Sequence, residues 1–292
     1  MSAADAERRL GLALAAPAFF AMTLVTAYPL GRAVWLSLFR DRLTDPAGRT
    51  FVGLQNYRTI LGDPLWWRVA STTLTITALG VTIEMVTGFL LASAMLGVWR
   101  GRAAVRTAIL VPYGIVTVVS AFAWRYAFAL DAGFVNGWFG LGSFSWFSAR
   151  WPSLVVIVLA EVWKTTPFVA LLLLAGLVQV PDDLQEAAKM DGATAWQRLW
   201  RVTIPNMKAA ILVAVLFRTL DAWRIFDTVF VMTTGANRTE TLSFLAYRQT
   251  VTLLNLGMGS AVSVLLFVSV VGLAMGAIGV LRPDLGGVGG ER

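Results

Sequence analysis

The sequence predicts an all-α integral membrane protein of six transmembrane helices, and three observations carry that prediction. Hydrophobic residues make up 57% of the 292-residue chain and charged residues only 14%, against about 45–50% and about 25% in soluble domains. Apolar stretches of spanning length recur over residues 11–38, 68–98, 106–130, 152–179, 206–232 and 256–281, and about 20 apolar residues suffice for one crossing. The chain also has no His and no Cys, which excludes His-based triads, Cys/His metal centres and disulfides. No catalytic residue and no metal site is expected. The lysines are Lys164, Lys189 and Lys208 and none follows a glycine, so the Gly-Lys-[Ser/Thr] of a nucleotide-binding P-loop is absent too.

Residues 1–10 read as a polar N-terminal segment and 11–281 as the membrane domain. The first span contains Pro17 and Pro29 and lacks a small-residue cleavage site leading into a soluble domain. It is therefore expected to remain as a membrane helix rather than to be removed as a signal peptide. The polar stretch Arg40–Arg68, with Pro46, Gly48, Gly53, Gly62 and Pro64, reads as a connection outside the membrane. Glu84 falls near the middle of the second span, and Arg125 beside Trp124 reads as an interfacial anchor at the end of the third. Trp138, Trp146 and Trp151 between the third and fourth spans suit an aromatic belt at the membrane surface. Residues 282–292, with four glycines and Pro283, read as a disordered tail. The triplet Asn237–Thr239 fits a glycosylation sequon, a pattern too short to carry weight.

Net charge is +7, which fits basic residues flanking spans at an anionic lipid surface. No basic run with interleaved aromatics is present, so nucleic acid is not an expected partner. Placing both termini in the cytoplasm puts eleven Lys or Arg there, from Arg8 and Arg9 to Arg282 and Arg292, against eight on the other side. Charges inside spans cost ~2.5–3.5 kcal/mol each at mid-bilayer, so each needs a partner or a polar cavity. Glu161 and Lys164 lie three apart in the fourth span, and Arg218, Asp221, Arg224 and Asp227 alternate in sign along the fifth. Two readings stay open for this stripe: a self-neutralising ladder packed against another helix, or the lining of a water-accessible path.

The segment 181–205 is polar enough to leave the membrane yet patterned for structure. Asp183 with Glu186, and Thr194 with Gln197, read as two capping boxes. Leu184, Ala187 and Ala188 share one helical face, and Trp196, Leu199 and Trp200 share another. Gly192 between them permits a sharp turn. The result is a compact, partly apolar knob at the membrane surface.

This knob resembles the "EAA" loop of binding-protein-dependent ABC-importer permeases: Glu-Ala-Ala, three residues, Gly, nine residues, then Ile-x-Leu-Pro. Glu186, Ala187, Ala188, Gly192 and Pro205 match in register, with Val202 and Ile204 in place of Ile and Leu. The family's further proline is Ala209 here. Phe51–Tyr57 with Asp63 and Pro64, and Ala214–Asp227, are similar to an extracytoplasmic segment and the fifth helix of carbohydrate permeases. Val111–Val119 and Ala160–Phe168 are similar to permeases of mycobacterial trehalose-recycling importers.

The resemblance implies a type I ABC-importer permease fold with a cytoplasmic coupling-helix loop, in a bacterial inner (plasma) membrane protein with cytoplasmic termini. It implies that Glu186, Ala187, Ala188, Asp191, Gly192, Ala193 and Pro205 couple to an ATPase subunit. The intramembrane charges and the tryptophans beside them then read as the lining of a sugar pathway, Trp163, Lys164, Asp221, Trp223 and Arg224, since aromatic faces and planar polar groups bind sugars. The implied partners are a second homologous permease, two ATPase subunits, an extracytoplasmic substrate-binding lipoprotein, membrane lipid and a sugar such as trehalose. No cofactor is implied in this chain; ATP and Mg belong to the ATPase subunits. The alternative is an ion-coupled secondary transporter, in which the loop would have no purpose and internal repeats would be expected.

Overall fold

The computed structural model describes residues 3–46, 48–98 and 100–285. The chain begins with helix α1 (Ala3–Ser37), the short strands β1 (Phe39–Arg40) and β2 (Thr50–Phe51), and α2 (Gln55–Gly62). Next come α3 (Pro64–Gly97), α4 (Arg102–Gly114), α5 (Thr117–Ala127), the one-turn α6 (Val135–Phe139) and the long α7 (Arg150–Leu177). The knob contributes α8 (Asp182–Met190), α9 (Ala195–Arg198) and α10 (Ile204–Asn206). The remainder is α11 (Lys208–Ala222), α12 (Asp227–Met232), α13 (Leu242–Tyr247) and α14 (Leu256–Leu285). Of the tail expected at 282–292, residues 282–285 continue α14 and 286–292 lie outside the described residues.

Among the described residues four helices are long and apolar enough to cross a membrane by themselves: Gly11–Ser37, Pro64–Gly97, Arg150–Leu177 and Leu256–Gly279. The expected third and fifth spans differ from the uninterrupted helices read from hydropathy. The third is bent by 84° between α4 and α5, where Ile115 is extended (φ −77°, ψ 136°) after Pro112 and Gly114. The fifth bends by 73° at Met207, between α10 and α11. It then stops at Ala222 and resumes only at Asp227. That second interruption is affordable because the freed carbonyls find partners: Thr241 Oγ1 donates to Ile225 O at 3.0 Å and Ser243 Oγ to Arg224 O at 3.1 Å.

The chain divides into two compact units, one running to Trp66 and taking in Leu245–Val268, the other comprising Trp67–Phe244 and the residues from Ser269 on. In the first unit β1 and β2 pair antiparallel, Phe39 opposite Phe51 and Arg40 opposite Thr50. The buried Asn56 donates from Nδ2 to Ser37 O (2.7 Å) and Phe39 O (2.9 Å), closing the C-terminal end of α1. Ser37 Oγ lies 2.6 Å from Tyr57 Oη. Thus the stretch Phe51–Tyr57 serves locally as the clasp that ends the first helix. Asp41 pairs with Arg49 at 2.8 Å, and Asp41 O accepts from Gly257 N at 3.1 Å. A side chain at Gly257 would drive into Phe39 O, so only glycine lets α14 start this close to β1.

In the second unit α7 is central. Its buried residues split between two clusters, one around Leu154, Ile157, Phe128 and Val229, the other around Val169, Leu173, Met95 and Met207. Close helix approach is made by small residues: a Cβ on Gly88 of α3 would stand 2.8 Å from Val169 Cγ1, and one on Gly176 would meet the Ala210 methyl. Past α12, Thr234, Asn237 and Arg238 all have left-handed backbone (φ 49°, 55° and 61°). Asn237 tolerates it and donates from Nδ2 to Phe147 O at 2.6 Å, which gives the Asn237–Thr239 triplet a local structural role.

Gly88→Val should therefore cost about 1–3 kcal/mol by overpacking, read as an earlier thermal transition of the detergent-purified protein. Gly272→Ala, with nothing within 4 Å of the added methyl, should raise that transition slightly, because alanine is the better helix former.

Candidate functional site

The intramembrane charges divide into a buried pair and a cavity wall. Glu84 on α3 and Arg218 on α11 are 0% and 2% exposed. Arg218 grips Glu84 with two nitrogens, Nε to Oε2 at 2.5 Å and Nη2 to Oε1 at 2.7 Å. Thr165 of α7 donates to the same carboxylate at 2.6 Å. Three helices thus meet on one charge-assisted, fully partnered contact, an arrangement in which a buried ion is tolerable. Arg218 Nη1 also donates to Asp221 Oδ2. On the other side of the break in the fifth span, Thr228 Oγ1 donates to Glu161 Oε1, tying the first turn of α12 to α7.

Beside this network lies a cavity of about 550 Å³ whose wall includes Glu161, Lys164, Asp221, Arg224, Asp227 and Tyr113. A neighbouring cavity of about 360 Å³ shares Tyr113, Thr165, Asp221 and Arg224 with it and adds Phe168, Phe217, Leu220 and an edge of the buried Arg218. Lys164 Nζ stands 5.5 Å from the centre of the Tyr113 ring, and that ring stacks on Phe168 at 5.4 Å. Arg224 Nε donates to Leu220 O at 3.3 Å. The alternating stripe of the fifth span is therefore not one ladder. Arg218 turns inward to α3, while Asp221, Arg224 and Asp227 line open space.

The structure brings Lys164, Asp221 and Arg224 together and leaves the two tryptophans out of this wall. Trp163 faces an apolar groove with Trp124, 6.0 Å between ring centres. Trp223 donates from Nε1 to Ser269 Oγ at 2.9 Å and lines a separate apolar groove between α11 and α14. Adjacent positions on a helix are about 100° apart, so sequence neighbours of wall residues look elsewhere. Tyr113, Thr117, Phe168 and Thr228 join the wall without having been singled out; a helical-wheel count from Lys164 reaches Phe168, four residues on, and nothing local marks the others. Arg125 donates to Val231 O at 2.8 Å, so it caps the end of α12.

The knob is built as its residues demand. After α8, Gly192 is left-handed (φ 76°). Gly192 N donates to Lys189 O (3.0 Å) and Ala193 N to Ala188 O (2.9 Å), the pair of bonds that defines a Schellman stop. No atom lies within 4 Å of a Cβ built there, so backbone conformation and not crowding demands glycine. Thr194 and Gln197 form the expected capping box, with bonds of 2.8 and 3.3 Å. Asp183 does not cap: α8 is entered through Pro181, and Asp182 and Asp183 sit in its first turn, where they oppose the helix dipole favourably. Gln185 Nε2 ties α8 to Thr203 Oγ1 at 2.9 Å. Glu186 and Ala187 are exposed, as are Met190 (88%), Trp196 (67%) and Trp200 (52%), so the knob presents apolar surface outward. Asp191 and Ala193 flank the glycine, and Pro205 lies in α10, where the chain turns into α11.

Residues 84–282 match the family model for the binding-protein-dependent transport system inner membrane component. Over 262 residues the chain is 52% identical to the trehalose transport system permease protein SugA of Mycobacterium tuberculosis, a match covering 90% of this chain and 85% of that one. It is 35% identical over 270 residues to the trehalose/maltose transport system permease protein MalF of Thermococcus litoralis, covering 90% of each. Among solved structures it superposes with a TM-score of 0.79 on a chain of a bacterial ABC transporter involved in the import of the acidic polysaccharide alginate. That likeness, at 21% identity and covering 96% of this chain and 97% of that one, gives the fold as that of a type I ABC permease. The chain belongs to the family of binding-protein-dependent transport system inner membrane components.

Proposed function

We propose that this chain is the permease subunit of an ATP-driven sugar importer, supplying half of the translocation pathway, with trehalose or a related disaccharide as its cargo. The observation that carries this reading is that the two helices flanking the knob, α7 and α11, both contribute to the cavity wall. Lys164 lies thirteen residues before the end of α7 at Leu177, and Asp221 thirteen residues after the start of α11 at Lys208. At 1.5 Å per residue each is about 20 Å from the knob along a stiff rod. A push on the knob reaches the cavity wall through both rods together. Nothing comparable is needed by an ion-coupled carrier, and the relatives that are named trehalose permeases support a disaccharide.

In this reading α4 with α5 makes one crossing and α11 with α12 another, giving six, and the termini and the knob face the cytoplasm of a bacterial cell. Residues 11–281 form the membrane domain between short cytoplasmic ends. Glu186, Ala187, Ala188, Asp191, Gly192, Ala193 and Pro205 form the docking element for one of two ATPase subunits, which hold the ATP and Mg. A second, homologous permease completes the pathway, and an extracytoplasmic substrate-binding lipoprotein delivers the sugar. Lys164, Asp221 and Arg224 contact the sugar; Trp163 and Trp223, outside the cavity wall, contribute packing at its flanks. ATP binding draws the knobs together, and the cavity changes the side to which it opens. Such work comes from contacts that differ between the two states rather than from affinity in either one.

Glu186→Ala combined with Gly192→Asp should abolish co-purification of the ATPase subunit while the chain still inserts, because a non-glycine residue in the left-handed turn costs about 1–2 kcal/mol and the carboxylate is lost. Full assembly and transport by that variant would reject the docking role. A strain lacking this chain should lose uptake of trehalose and keep uptake of unrelated sugars; intact trehalose uptake would reject the cargo. Lys164→Ala and Arg224→Ala should each lower sugar transport about tenfold in assembled complexes, the scale of one charge-assisted hydrogen bond.

A further inference from the structure

Arg218 divides its three guanidinium nitrogens between two carboxylates of opposite environment. Nε and Nη2 are committed to Glu84, a side chain with no exposed surface, at 2.5 and 2.7 Å. Nη1 donates to Asp221 Oδ2, whose side chain is 65% exposed and forms part of both cavity walls. The guanidinium is planar and its fork is rigid, so once two arms are fixed on Glu84 the direction of the third is fixed as well. Thr165, donating to Glu84 from α7 at 2.6 Å, fixes the carboxylate that fixes the fork. The buried partners thereby set the rotamer of a residue at the surface of the cavity.

We propose that Glu84 and Arg218 are a positioning pair that holds the Asp221 carboxylate on the cavity wall as an oriented acceptor for a sugar hydroxyl. This rests on the reading of the cavity as the sugar pathway. One oxygen of Asp221 is occupied by Arg218, which leaves the lone pairs of the other to accept from a hydroxyl group. An acceptor already held in one rotamer gives up less freedom on binding than a free side chain does. A pair serving stability alone would be complete with Glu84 and Arg218; the contact from Nη1 to an exposed carboxylate is what adds the link to the cavity. Neutral polyols, with many donors and no charge, are the ligand class such an acceptor serves.

The test uses the complex of this chain with its partner permease and ATPase subunits, purified without the binding protein, and equilibrium dialysis of radiolabelled trehalose. Asp221→Ala should weaken trehalose binding about tenfold, the scale of one hydrogen bond to a charged group. Arg218→Lys leaves a cation on Glu84 but replaces the fork by a single ammonium, which releases Asp221. It should show the same loss in complexes that still assemble, and the double variant should bind no worse than either single one. Glu84→Met with Arg218→Met removes both buried charges and keeps their volume; it should assemble and show that loss again. Wild-type binding by Arg218→Lys or by the double-methionine variant, alongside a weakened Asp221→Ala, would overturn the positioning role. So would additive losses in Asp221→Ala with Arg218→Lys. Unchanged binding by Asp221→Ala would instead reject the cavity as the sugar pathway.

Discussion

The Glu84–Arg218 contact is the constraint on which the larger of the two packing units depends. Either ion alone in a bilayer core would cost several kcal/mol, so α3 and α11 can be buried here only if they meet at this point. Meeting there fixes their axial register, because a slide of one residue moves a side chain by 1.5 Å and breaks a two-nitrogen grip. Thr165 adds α7 to the same point. From that register follow the close approach of Gly88 to Val169 and of Gly176 to Ala210, and hence the two apolar clusters along α7. The polar contact specifies the arrangement; the apolar contacts supply most of the packing around it.

The same economy explains why broken helices survive in so apolar a chain. Each interruption exposes backbone groups that hydrocarbon cannot satisfy, so each needs a local donor or acceptor. Threonine and serine supply these at the break in the fifth span, through Thr241 and Ser243. Thr228 then pins the restarted helix to Glu161. The break turns Arg224 and Asp227 toward open space instead of along a packed face, so the cavity wall is a product of the interruption. A straight helix through residues 206–232 would have carried the four charges along one stripe.

How much of this was legible depends on the range of the interactions involved. The knob was readable almost residue by residue, since capping boxes and left-handed glycines act over three to six positions: Thr194 with Gln197 and Gly192 behave as their spacing demands. Asp183 misled because a carboxylate near a helix start has two favourable uses, capping and opposing the dipole, and Pro181 already occupied the capping position. Lys164, Asp221 and Arg224 were legible as charges needing a polar environment. Trp163 and Trp223 were drawn in by adjacency in sequence, which on a helix places a neighbour on a different face. Tyr113 could not be found from its surroundings, because its partners Lys164 and Phe168 lie some fifty residues away in the chain.

From the sequence alone follow a helical membrane protein and, through local rules, the place of the exposed knob. Hydropathy and capping depend on composition and short spacing, so they survive without knowledge of the neighbours. Which charge is buried and which faces the cavity follows from how the helices pack. Arg218 and Arg224 are both arginines on one stripe, yet one is locked to α3 and the other lies on the cavity wall. That difference is a matter of which helix stands opposite, and helix neighbours are set by packing over the whole unit rather than by any stretch of the chain.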